Sequence, residues 1–69
     1  MNLRDNGIIT ERHYVGKTLE EATRVAEAGG YVVRIVEVDG QAKIFPMDAK
    51  TNRINFRVRG GFVTAVYGG

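Results

Sequence analysis

The fifteen residues RINFRVRGGFVTAVY, positions 53–67, restrict the fold more tightly than any other stretch of the chain. Ile54, Phe56 and Val58 alternate with Arg53, Asn55, Arg57 and Arg59, a period of two that predicts a strand with one buried and one wet face. Gly60 and Gly61 supply a two-residue hairpin turn, so FVTAVY is expected to return as the antiparallel partner. The bases of the wet face read first as a solvated surface that discourages edge pairing.

The apolar face of that hairpin needs a cover, and GKTLEEATRVAEAGG, residues 16–30, predicts a helix that can provide one. Thr18 can cap the free amides, Glu21 completes a capping box three residues later, and Gly29 and Gly30 offer a left-handed stop. Leu19, Ala22, Val25 and Ala26 share one face, with Glu20, Arg24 and Glu27 largely elsewhere. A helix of about three turns is unstable alone and must pack on a sheet. The stretch YVVRIVEV, residues 31–38, carries β-branched residues on both alternating sets and so reads as a central strand covered on much of both faces. Asp39-Gly40 marks the turn out of it. The order helix, strand, long connection, strand, strand implies an α+β fold, a single helix packed on a small sheet.

At 69 residues the chain is one domain, and a domain of this size buries only ~60% of its unfolded surface, leaving little room for a cleft. The absence of cysteine excludes disulfides, thiolate metal sites and a thiol nucleophile, and suits a reducing compartment. Ten bases against eight acids give a net charge of +2, too mild to imply a polyanionic partner. No stretch approaches the ~18 apolar residues of a membrane span. Residues 1–10 lack the pattern of a signal peptide, so a soluble chain without a membrane partner is expected. Residues 1–13 show no sustained period and read as a flexible N-terminal arm, with residues 14–69 as the folded domain.

The connection is the anomaly. From Asp39 to Asn52 run fourteen residues without a helical pattern, a length that in a small domain signals function or disorder. A flexible linker would be rich in Gly, Ser and charge, whereas Ile44, Phe45, Pro46 and Met47 place apolar bulk and a fixed φ in mid-loop. Exposed and extended, the segment would serve as bait for a groove that recognises peptide strands. Folded inward, Phe45 and Met47 would instead patch the small core.

Taken together, VGKTLEEA before the helix and MDAKTNRINFRV after the strand resemble the potato inhibitor type I family of serine protease inhibitors, over residues 14–66. The acid five residues before an arginine, Asp48 and Arg53, strengthens the likeness. The resemblance implies that the strands at Tyr31 and Arg53 run parallel in a mixed sheet, joined by a long exposed loop, which a fourteen-residue connection permits. It also implies a protease-binding loop of Ile44, Phe45, Pro46, Met47, Asp48, Ala49 and Lys50, with the scissile bond at Met47-Asp48, and Arg53 reaching back beneath the loop. Asn55 stands where the family carries a second supporting base, Ala49 where it carries an aromatic, and the family's tryptophan before the helix is missing. Rigidity separates such an inhibitor from a substrate, because a held leaving half favours re-ligation over hydrolysis. Met47, long and apolar, suits the primary pocket of a subtilisin-like or chymotrypsin-like enzyme rather than a trypsin-like one. Pro46 stiffens the next position, and the resemblance sets Ile44 at the fourth.

Catalysis is not expected. His13 has no Ser or Asp partner at a recognisable spacing, and Glu20 and Glu21 are adjacent on a helix and point apart. No metal or cofactor is implied. A non-inhibitory protein-binding module on the same scaffold is the second reading. The third is nucleic-acid binding, with Arg34, Lys43, Lys50, Arg53, Arg57 and Arg59 as a basic surface and Phe45 or Tyr67 as stacking platforms. Interspersed acids and the lack of a helix-turn-helix or RNA-binding aromatic motif argue against it.

Overall fold

The computed structural model describes residues 11–46 and 51–68. A 3-10 turn at Glu11–His13 leads into helix α1, Leu19–Ala28, followed by strands β1, Val32–Val38, β2, Gln41–Ala42, β3, Arg53–Arg59, and β4, Phe62–Gly68. The sheet order is β2-β1-β3-β4, with β1 and β3 parallel and the outer pairs antiparallel. This is the expected α+β arrangement, one helix on a mixed sheet whose two parallel strands are joined by the long connection. Of the segment read as an arm, Glu11–His13 form the turn and residues 1–10 lie outside the described residues.

The helix is bounded as its sequence predicts. Thr18 accepts from the Glu21 amide while the Glu21 carboxylate accepts from the Thr18 amide, a complete capping box. At the other end Gly30 takes φ +88°, and the Tyr31 and Gly30 amides donate to the carbonyls of Ala26 and Glu27. That is the Schellman pattern, which needs a residue free of the Cβ penalty at positive φ. Ala22 and Ala26, both fully buried, bring the helix close to the sheet, with Leu19 half-buried beside them; Val25 lies at the margin of the stripe and is exposed.

Ile54, Phe56 and Val58 of β3 and Val63 and Val66 of β4 complete the core under α1. Tyr14 closes its end, its ring centroid 5.6 Å from that of Phe56. The chain before the helix is stitched to β4: the Gly16 amide donates to the Val63 carbonyl, and the Val63 amide to that of Lys17. Both hairpins use two-residue turns with positive φ at each central position, Asp39 and Gly40 in one, Gly60 and Gly61 in the other.

Two expectations need correction. The connection contains a strand: the Asp39-Gly40 turn is a true hairpin that returns the chain as β2, and the Lys43 amide extends the ladder to the Val36 carbonyl at 2.8 Å. The polar face of β3 is not wet throughout either, since Arg53 is 7% exposed and Asn55 fully buried. Asn55 lies in the central part of the sheet, between β1 and β4. β2 and β3 flank β1, and in the chain leaving β2 the Phe45 ring lies over Arg34 of β1, the hydrogen-bond partner of Asn55.

Candidate functional site

The loop is fastened at both feet to the backbone of one strand. Lys43 donates to Val36 near the end of β1, and the Val32 amide at its start donates to the Asn52 carbonyl at 2.8 Å. Between these feet Ile44 is 98% exposed, Pro46 is exposed, and Phe45 turns back to the sheet at 37%. Phe45 therefore stays out of the helix-side core and lies partly exposed against Arg34. Met47, Asp48, Ala49 and Lys50, with the expected pairing of Asp48 and Arg53, lie outside the described residues.

Beneath Phe45 a row of side chains crosses three strands. Arg34 of β1 is in register with Asn55 of β3, which is in register with Tyr67 of β4. The Arg34 Nε–H donates to Asn55 Oδ1 at 3.0 Å, and the Asn55 amide nitrogen donates to the Tyr67 carbonyl at 3.4 Å. The guanidinium carbon of Arg34 sits 4.5 Å from the centre of the Phe45 ring, a cation–π geometry. Asn55 supplies what a buried row requires, an acceptor for the arginine and a donor for a carbonyl on one short side chain. A base at that position would offer donors alone and would face Arg34 as a like charge.

A bulge sets the rest of this face. Ile35 opposes Phe56 and Glu37 opposes Arg57, so Val36 is an extra residue in β1. The bulge turns Glu37 to the loop side, where its Oε1 lies 3.5 Å from Arg57 Nε. Both side chains are partly exposed, so the pair adds little stability. A shallow groove of about 310 Å³ results, lined by Arg34, Val36, Glu37, Ala42, Lys43, Phe45, Arg57 and Tyr67.

Of the residues expected at the site, Ile44, Phe45 and Pro46 form one limb of the loop, and Arg53 and Asn55 lie buried at its base. Asn55 reaches the described loop through Arg34. Sequence reasoning assigned Arg34 no such part; its signal was a lone base within an apolar strand, YVVRIVEV. Among the described residues no group of His, Asp and Glu is placed to hold a metal ion, and no helix is long and apolar enough to cross a membrane. No family model, curated protein or solved structure matches the chain.

Proposed function

We propose that the chain is a serine protease inhibitor that offers residues 44–50 as a substrate-like strand to a subtilisin-like or chymotrypsin-like enzyme, with Met47-Asp48 as the scissile bond. The observation that carries the reading is the contrast between two adjacent loop residues: Ile44 is 98% exposed, while its neighbour Phe45 is held on the sheet by Arg34. An apolar side chain held out in water from a fastened segment costs solvation unless a partner covers it. Fastening lowers the ordering cost of binding and keeps the two halves of a cleaved loop near each other.

The test is a titration of subtilisin and chymotrypsin with mass spectrometry on the mixture. Activity should fall at stoichiometric protein, with any nick confined to Met47-Asp48. Loss of the protein as an ordinary substrate, cut at several sites, would reject inhibition. Binding with protease activity unchanged would select the non-inhibitory module. The nucleic-acid reading loses ground on this face, because Arg34 stacks on Phe45, Arg57 meets Glu37 and Arg53 is buried.

A further inference from the structure

We propose that Arg34 is a positioning residue of the inhibitory loop: stacked on Phe45 and anchored on Asn55, it clamps the limb that precedes the scissile bond. The inference rests on the inhibitor reading, in which Phe45 is the third residue before the cleaved bond. It concerns a different strand and a different limb from Arg53, which stands just after the loop at the start of β3.

The geometry makes the clamp a continuous piece. β4 holds Asn55 through the Tyr67 carbonyl, Asn55 holds Arg34 at Nε, and Arg34 presents its guanidinium to the Phe45 ring. Each link is directional. The Nε bond fixes the plane of the guanidinium, which then fixes where the ring can lie. The ring belongs to the residue next to Ile44, so holding it also sets the direction in which Ile44 projects. During attack by a protease the limb before the bond becomes the acyl group. Its position relative to the departing amine governs whether the bond re-forms, so a loose Phe45 should favour hydrolysis.

The experiment uses the full chain, its Arg34→Met, Arg34→Lys and Phe45→Leu variants, and the Arg34→Met/Phe45→Leu double variant. Each is incubated with subtilisin, and cleavage of Met47-Asp48 is followed by mass spectrometry, alongside thermal unfolding and the Arg34 Nε–Hε resonance. Arg34→Met and Phe45→Leu should each speed cleavage by about tenfold, in keeping with the loss of one cation–π contact and its anchor. The double variant should be no faster than the faster single one. Arg34→Lys, which keeps the charge over the ring and loses the Nε bond, should fall between. Phe45→Leu lies outside the core and should unfold close to the parent temperature, which separates positioning from stability. In the parent the Arg34 Hε signal should be shifted upfield by the ring, and in Phe45→Leu it should move downfield as the ring contribution is lost while the bond to Asn55 is kept. If the parent inhibits and the single variants are cleaved at its rate, the clamp is wrong and the inhibitor reading stands. If the parent neither inhibits nor is cut at Met47-Asp48, the inhibitor reading and the positioning role fall together. The resonance of Arg34 then reports whether the stack itself exists, an unshifted signal overturning it.

Discussion

The Asp39 carboxylate accepts a hydrogen bond from the Gly60 amide at 2.8 Å, tying together two hairpin turns that lie 21 residues apart. The Asp39 amide donates in turn to the Val58 carbonyl, so the parallel seam of β1 and β3 ends in a closed clasp. Asp39 also holds φ +50°, where a short polar side chain is tolerated and alanine is strained. Asp39→Asn should therefore unfold in urea within about 0.5 kcal/mol of the parent, and Asp39→Ala should lose about 2 kcal/mol. Equal midpoints for the two variants would show that the clasp contributes nothing.

Met47 is the proposed occupant of the protease's primary pocket. Met47→Lys would bring a charge into an apolar slot, so affinity for subtilisin-like or chymotrypsin-like enzymes should drop by roughly a hundredfold and preference should move towards trypsin-like enzymes. Inhibition constants against the three enzyme types provide the check. An unchanged order of preference would place the scissile bond elsewhere.

Asn55 is fully buried and serves partners on both sides. Asn55→Ala leaves the Arg34 guanidinium without that acceptor and the Tyr67 carbonyl without that donor, and opens a small void. The cost should be about 3 kcal/mol, or roughly 15 °C in Tm for a domain of this size. Arg57→Ala, which removes one member of a partly exposed ion pair, should stay within about 0.5 kcal/mol. Thermal unfolding of the two variants side by side tests the contrast.

Burial, with a smaller contribution from Tyr31, raises the Tyr14 pKa above the ordinary tyrosine value of 10.0. The folded chain then keeps this proton at pH values where the unfolded chain has lost it. The associated stability is fully present below pH 10.0 and declines as pH rises through the folded-state value. Tyr14→Phe removes the titration. Its stability, measured by urea unfolding, should fall less steeply than that of the parent above about pH 10.

Much of the architecture was legible because local signals and the global fold agree. Thr18, Glu21 and Gly30 act where capping chemistry requires them, and Ile54, Phe56 and Val58 are buried as their alternation demands. The misreadings have physical causes. Asp39-Gly40 has the composition of a hairpin turn, yet the β2 it starts is only Gln41 and Ala42, too short for any period to reveal. Arg53 and Asn55 look wet because alternation reports which residues share a face and not what crosses over that face. Arg34 was hidden for the same reason: its partners are an asparagine 21 positions away and a ring in the loop, brought together by strand register. The bulge at Val36, which re-aims Glu37, leaves no mark in composition.

The stitching of Gly16 and Lys17 to Val63 has a consequence for a molecule severed between Met47 and Asp48. The piece on one side would carry Tyr14, Ala22 and Ala26, and the piece on the other Ile54, Phe56, Val58, Val63 and Val66. Neither half contains a complete interior, so each is the other's missing solvent shield, and the two are laced along β1 against β3 and again at Val63. Such a cut chain would persist as a non-covalent pair of peptides, with Lys43 of one still bonded to Val36 and Asn52 of the other still bonded to Val32.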